Sequence, residues 1–390
     1  MSDLNDLDQL LRKFELGTLE SDQERLGALG DRPLYLYGAG NMGKLLYRQL
    51  SANGILVAGF IDRNPMAKHE TIAISSFTPD SPDLTEAKKT ATIILSGLFP
   101  LKVCQDIKAT LSALGFQHIH ALHEINFTRL CGGTIRQTLF DDDYNKLDVL
   151  GEDRPKIEQA FGLLVGESDR RLFLLLLKAH LTMGFTRLDD PHDISLQYLA
   201  HDIPDHKDYT RFIDCGGYDG DTFRQLVDRA VHIDALAAFE PQIEMYRKYA
   251  ATIATHLQPP QQTFLFPCGV HSETTQLRFA SNSDAQSAAR LSIEGDQVIQ
   301  CVAIDEALQG FLPTFLKMDI EGAEISALHG ARKTIESAGP GLAICVYHRF
   351  SDLWEIPCLI SSMRADYRYY LRNYNYLGLE TVLYALRTPD

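Results

Sequence analysis

The sequence is short of the marks of several common protein classes. Its seven cysteines, at 104, 131, 215, 268, 301, 345 and 358, are odd in number and form no CxxC pair. That pattern argues against a thiolate zinc site and against a disulfide framework, so reduced thiols and a cytoplasmic setting are expected. No apolar run approaches the roughly 18 residues that span a bilayer. The longest candidates, residues 172–177 and 92–95, are short enough for buried helix or strand. The opening residues, Met1 to Asp6, are polar and acidic, and no signal-type apolar stretch follows them. Basic excess is missing as well: 52 acids face 37 bases, a net charge of −15. A nucleic-acid binder normally carries a basic footprint, so neither nucleic acid nor a membrane span is an expected partner. Tryptophan occurs once, at 354, and no fixed-period repeat or low-complexity tract is present.

What is there suits a folded protein of more than one domain. The chain is 45% hydrophobic and 23% charged, near the soluble globular average. Its 390 residues predict two or three domains at about 150 residues each. Leu4, Leu7, Leu10, Leu11 and Phe14 recur at helical spacing. From Leu34 to Leu122 apolar strand patterns alternate with helical ones, which predicts a small doubly wound α/β domain. Strand signals then weaken until Arg211, where the alternation resumes. The expected organisation is an N-terminal helical segment (1–30), a Rossmann-like domain (31–135), a helical connector (136–205) and a second α/β domain (206–390).

Two glycine turns carry the first chemistry. Gly38-Ala39-Gly40-Asn41-Met42-Gly43 fits GxGxxG between a strand and a helix, and Asp62 ends the next strand. Glycine lets backbone approach a pyrophosphate, the helix N-terminus favours its charge, and the acid can take a ribose. Gly38, Gly40, Gly43 and Asp62 are therefore candidates for a nucleotide or sugar nucleotide; a domain of this type without any ligand fits the motif equally. No Tyr-x-x-x-Lys pair accompanies it.

The second turn, Phe212-Ile213-Asp214-Cys215-Gly216-Gly217-Tyr218-Asp219-Gly220-Asp221-Thr222, is not GxGxxG. Its D-x-G-x-x-x-G spacing suits S-adenosylmethionine, which has no phosphate to cradle but presents an ammonium that a strand-end acid such as Asp214 can hold. Twenty-six residues on, Phe239-Glu240-Pro241 ends a strand in an acid able to take both ribose hydroxyls. The bland alternative for Glu240 is a helix N-terminal acid favoured by the macrodipole.

Two further segments supply reactive groups. In Phe315-Leu316-Lys317-Met318-Asp319-Ile320-Glu321-Gly322-Ala323-Glu324 the charged residues 317, 319 and 321 share parity, so an extended chain presents them on one face. Clustered charge at a strand's carboxyl end must be paired or face a wet cleft; a structural ion pair with a helix-capping Glu321 is the alternative. His348, in Tyr347-His348-Arg349-Phe350-Ser351-Asp352-Leu353-Trp354-Glu355-Ile356-Pro357, lies just past another strand and can titrate near neutrality. A hydrogen-bonded loop histidine is its alternative.

Together these pieces (FIDCGGYDGDT, AFEP, VAIDEAL, FLKMDIEGAE, YHRFSDLWEIP and ETVLYA) resemble the FkbM family of S-adenosylmethionine-dependent methyltransferases, in order and spacing, over about residues 160–390. Cys215 and Gly217 depart from the Val and Ala that many relatives carry. The resemblance implies a class I methyltransferase fold and O-methyl transfer to a sugar or related small-molecule hydroxyl. On that reading Asp214, Gly216, Tyr218 and Asp219 line the methionine end, Glu240 and Pro241 the ribose, and Cys268 and Gly269 the adenine, with Asp319 also at the cofactor. His348 or Asp319 would be the base, with Lys317 holding the acid or steadying oxyanion charge. A divalent ion on Asp319, Glu321 and His348 stays open. YGAGNMGKLL and GFIDRNP resemble a Rossmann-like module that precedes sugar acyltransferases and some carbohydrate methyltransferases. The competing functions are an NAD(P)-dependent oxidoreductase working through the N-terminal domain, and a non-catalytic binding module.

Overall fold

The structure, a computed structural model, describes residues 2–16, 19, 32–52, 54–63, 75–97, 99, 101–124, 151–182, 188, 190–204, 207–280, 290–291 and 297–387. Cys131, the end of the expected Rossmann-like domain (125–135) and the start of the expected connector (136–150) lie outside these residues.

The N-terminal alternation produces strands β1 (Leu34–Tyr37), β2 (Val57–Ile61), β3 (Ser76–Phe77), β4 (Thr92–Leu95) and β5 (His118–Ala121). They form a parallel sheet in the order β3-β2-β1-β4-β5. Helices Asn41–Ala52 and Leu101–Ala113 supply the crossovers that parallel pairing requires. β4 is buried at every position, as a central parallel strand covered on both faces must be. The two-residue β3 gave no readable pattern in the sequence.

The second sheet is larger. Its strands are β6 (Arg211–Cys215), β7 (Ala235–Phe239), β8 (Gln262–Phe266), β13 (Phe315–Met318), β14 (Gly341–Cys345), β15 (Tyr367–Asn373) and β16 (Thr381–Arg387). They run in the order β15-β16-β14-β13-β6-β7-β8, with β16 antiparallel to both its neighbours and the rest parallel. Strand order reverses between β6 and β13, so their carboxyl ends open a crevice. Between β8 and β13 the chain builds a small accessory sheet from β9 (Gly269–Val270), β10 (Thr275–Ala280), β11 (Arg290–Leu291) and β12 (Gln297–Val302). β8 ends at Phe266, so Cys268 lies between the two sheets and Gly269 opens the accessory one.

Alternation along each strand divides the core. Ile213, Cys215, Leu316, Met318, Leu342 and Ile344 pack on one face with helices Arg154–Leu163, Glu167–Thr182 and Asp352–Met363. Phe212, Leu236, Phe315 and Ala343 pack on the other with Phe223, Leu226, Tyr249 and Ile253. The described part of the expected connector is thus a layer of the second domain, and Leu164 bridges to Tyr369 of β15. Leu7 and Leu11 of the first helix, Ser2–Glu15, lie in the same core, and Asp8 pairs with Arg154 at 2.8 Å. Trp354 is a packing residue: fully buried, edge-on to Phe350, with its ring N–H 3.3 Å from Asp153 Oδ1.

Asp169 locks this layer to the sheet edge. Its Oδ1 accepts from the Leu371 amide at 2.9 Å and from Arg372 at 2.5 Å, and its Oδ2 accepts from the Gly166 amide. Arg372 would keep Asp202 at 2.7 Å, but the Leu371 amide would be left without its acceptor, so Asp169→Ala should lower the unfolding free energy by about 1–3 kcal/mol in urea titration. A loss within 1 kcal/mol would show the contact to be dispensable.

Candidate active site

Parallel register places the first ion pair. β13 lies beside β6 with Lys317 opposite Asp214, and like parity puts both side chains on the Tyr249 side of the sheet. Lys317 Nζ reaches Asp214 Oδ1 at 3.0 Å and the Gly216 carbonyl at 2.6 Å. Tyr249 donates its hydroxyl to Asp214 Oδ2 at 2.9 Å. Burial alone would lower the Lys317 pKa, but Asp214, Asp319 and Asp221 outweigh it and raise it. Lys317 is therefore a fixed cation beneath the glycine turn.

This corrects the expected role of Asp214. Its side chain is wholly buried, both oxygens are taken from below, and it does not line the crevice. The turn above it needs glycine. Gly216 sits at φ 79°, and a Cβ there would lie 1.9 Å from the Asp319 carbonyl oxygen. β6 and β13 can approach so closely at their ends only because position 216 has no side chain.

The crevice is a cavity of about 630 Å³. Gly216, Tyr218, Phe239, Glu240, Pro241, Gly269 and Val270 form one end. Glu240 is buried beside the turn, accepting from the Tyr218 amide at 2.9 Å and the Gln242 amide at 2.7 Å. Burial pushes its carboxyl up to about 7, partly offset by those two amides. Pro241 lines the cavity, but the helix begins at Ile243 with Gln242 as its N-cap, so Pro241 does not open it. Cys268 is buried and does not line the cavity; Ile299 and Cys301 of β12 do. Asp219 also faces away, bound to Arg224 at 2.8 Å, while Asp221 contributes to the wall instead.

Acids and phenols gather at the other end, around Gln197, Tyr198, Asp319, Glu321, Tyr347 and Glu380. Asp319 accepts from Tyr198 at 2.9 Å and Tyr347 at 3.3 Å. Burial would raise its pKa, but Lys317 and His348 overcome it and hold the carboxyl below its ordinary value. The shared-face expectation holds for Lys317 and Asp319 only. β13 ends at Met318, and the chain turns left-handed at Glu321 (φ 57°) and Gly322 (φ 91°). Glu321 still reaches the cavity, and burial raises its carboxyl to about 7.

His348 stands behind Asp319 and does not line the cavity. Its Nε2 is 3.5 Å from Asp319 Oδ1 and 3.6 Å from Glu321 Oε2; its Nδ1 is 2.9 Å from Glu324 Oε1. Burial opposes its charge, yet Glu324, Asp319 and Glu321 push its pKa up to about 10. His348 is shielded from the cavity behind Asp319, so the geometry disfavours it as the base.

Tyr198, Gln197 and Glu380 were not singled out from the sequence. Gln197 donates to Glu380 Oε2 at 2.9 Å, joining a segment before β6 to the turn before β16. Glu380 opens the ETVLYA segment of the family resemblance without a role being legible there, and no local pattern marks Gln197 or Tyr198.

In the N-terminal turn, Asp62 Oδ2 accepts from the Ala39 amide at 2.7 Å. A Cβ on Gly43 would lie 2.0 Å from the Gly38 carbonyl oxygen, and Gly38 has φ 100°. The glycines and the acid are therefore brought together, with the acid closing the turn on itself.

Lys317→Met should leave Asp214 buried and uncompensated, costing about 3–5 kcal/mol in denaturant unfolding. The double variant Asp214→Leu, Lys317→Met should recover part of that loss. Equal losses in the single and double variants would disprove the pairing as the source.

Residues 214–377 match the family model described as Methyltransferase FkbM domain. A crystal structure of methyltransferase FkbM from Methylobacillus flagellatus KT superposes with a TM-score of 0.70 and 19% identity, covering 98% of this chain and 99% of that one. At that identity the likeness establishes the shared fold. No curated protein matches the sequence.

Proposed function

We propose, from the match of residues 214–377 to the methyltransferase FkbM domain model, that the protein is an S-adenosylmethionine-dependent O-methyltransferase acting on a hydroxyl of a sugar, glycan or related small molecule. One observation carries this reading: a buried carboxylate, Glu240, stands beside the Gly216 turn in a cavity at the sheet's reversal point.

Glu240 takes the ribose hydroxyls, with Pro241 beside it. Adenine lies toward Gly269, Val270 and Ile299. The methionine end passes over Gly216 and Tyr218. Its ammonium and sulfonium meet negative potential from Asp221 and Asp319 instead of a direct contact with Asp214.

The acceptor enters the other end, among Gln197, Tyr198, Glu321, Tyr347 and Glu380. Of the described lining residues, Lys317 is the one Lys or Arg, and its ammonium is held by Asp214 and Gly216. Asp221, Glu240, Asp319, Glu321 and Glu380 are acids. Such a wall repels phosphates and suits a neutral polyhydroxyl, whose hydroxyls find carboxylate, amide and phenol partners. Methyl passes from sulfur to oxygen in line, and S-adenosylhomocysteine leaves. Holding the three atoms in line can remove about 7–11 kcal/mol of the barrier. Glu321, one-third exposed beside Asp319, accepts the hydroxyl proton.

Glu240→Ala should weaken S-adenosylmethionine binding at least tenfold in calorimetry; unchanged affinity would refute the ribose assignment. The ionised form of Glu240 is the one that accepts ribose hydroxyls, and its pKa lies near 7. Affinity should therefore be full above pH 7 and fall as pH drops through it, a dependence that Glu240→Gln should flatten. Glu321→Gln should reduce kcat by about 10²-fold, within the usual range for a general base, while cofactor affinity stays at the wild-type value. Wild-type turnover in that variant would exclude Glu321 as the proton acceptor.

A further inference from the structure

Behind the acceptor end lies a cluster of which methyl transfer as described uses only Asp319. Asp319, Glu324 and His348 each bring a donor atom within 4.8 Å of the others. They come from different parts of the chain: the end of β13, the first turn of helix Glu324–Gly330, and the loop after β14. The Glu324 side chain is fully buried, His348 is 8% exposed and Asp319 24%.

Glu324 Oε2 and both ring nitrogens of His348 are buried without a hydrogen-bond partner, Nδ1 meeting Glu324 Oε1 only as a charge contact at 2.9 Å. Glu324 Oε1 itself accepts from the Ile320 amide. The carboxylate oxygens nearest His348 Nε2, at 3.5 and 3.6 Å, are beyond hydrogen-bonding range. An orphaned buried donor or acceptor costs about 1–3 kcal/mol, and such atoms grouped among the carboxylates of Asp319, Glu321 and Glu324 form a donor set that a bound cation would satisfy.

The spacing has the dimensions of a coordination shell. Ligand atoms at about 2.1 Å from one ion lie roughly 3.0–4.2 Å apart, from the cis to the trans arrangement. Donors already within 4.8 Å close on an ion through small side-chain movements. Imidazole together with carboxylate suits a first-row transition cation better than an all-oxygen ion such as Mg²⁺.

We propose that Asp319, Glu324 and His348 form a binding site for one divalent transition-metal cation at the floor of the cavity. The site goes beyond the methyl-transfer reading. Asp319 lines the cavity, so an ion held there has its open positions toward water or an acceptor oxygen.

The test is titration of the chelator-stripped full chain with MnCl₂, in the absence of any nucleoside, followed by electron paramagnetic resonance and calorimetry, and repeated with ZnCl₂. One saturable ion per chain is expected, with pulsed resonance showing nitrogen coupling from one imidazole. Glu324→Gln and His348→Gln should each weaken binding by about 10–100-fold, and the nitrogen signal should vanish in His348→Gln. Absence of saturable binding by both Mn²⁺ and Zn²⁺ would overturn the site. So would bound Mn²⁺ without nitrogen coupling in the wild type, a result that does not depend on any variant folding. Cofactor binding measured on the same stripped sample reports separately on the methyl-transfer reading.

Discussion

The contact between Lys317 and Asp214 is the constraint on which the candidate site depends. It follows from parallel register between two adjacent strands and has no local signature in either. Burying both charges carries a desolvation cost of several kcal/mol per ion. The cost is offset because Asp214 has a second donor in Tyr249 and Lys317 has a second acceptor in the Gly216 carbonyl. That last bond matters most for function, because it ties the glycine turn to β13. The amides of Gly216 and Gly217 both donate to the Phe239 carbonyl, which ties the same turn to β7. A turn anchored to strands on either side holds the adjoining Tyr218 amide on Glu240.

Charge is then arranged in two layers. Below the turn the pair is compensated. Above it, Asp221, Glu240, Asp319, Glu321 and Glu380 crowd one cavity. Burial raises the carboxyls of Asp221, Glu240, Glu321 and Glu380, while Lys317 and His348 keep Asp319 low. The cavity is thus short of positive charge. A ligand with an ammonium and a sulfonium supplies it at one end, and a divalent cation would supply it at the other. Both proposals draw on the same electrostatic deficit and share Asp319, while Glu240 belongs to the first alone and Glu324 and His348 to the second.

Much of this was legible in the sequence, and the failures have a common physical origin. Strand, glycine turn and helix start at 212–222 are local, and a strand-end acid at 240 is local; both were readable and are brought together. The role of Asp214 was not, because whether a strand-end acid points up to a ligand or sideways to a lysine depends on the neighbouring strand. Lys317 and Asp319 shared a face because extended chain preserves parity. Glu321 broke that rule because φ turned positive three residues past the strand end. Gln197, Tyr198 and Glu380 reach the cavity from segments far apart in the chain, and Cys268 and Gly269 pass into an accessory sheet whose pairing is long-range. Sequence periodicity reports an element and its faces, and it is silent on which element comes to lie alongside.

Backbone strain gives independent reason to regard this cavity as the working site. Among the described residues, Tyr198, Ala200, Tyr218, Ala230, Glu321, Leu377 and Glu380 are the non-glycine positions with positive φ. Four of them line the cavity, and Ala200 and Leu377 lie within three residues of those four. Each such conformation costs on the order of 1–3 kcal/mol and persists only where its surroundings overdetermine it. They do so here. The Tyr198 amide donates to Tyr384 Oη at 3.0 Å while its carbonyl accepts from Tyr209 at 2.5 Å, and the Glu380 carbonyl accepts from the Tyr374 amide at 3.3 Å. Stability alone would favour relaxing these residues, or glycine in their place. Glycine, however, would remove the phenol that Tyr198 gives to Asp319 and the carboxylates of Glu321 and Glu380. The strain is what keeps side chains of the required chemistry aimed at one volume.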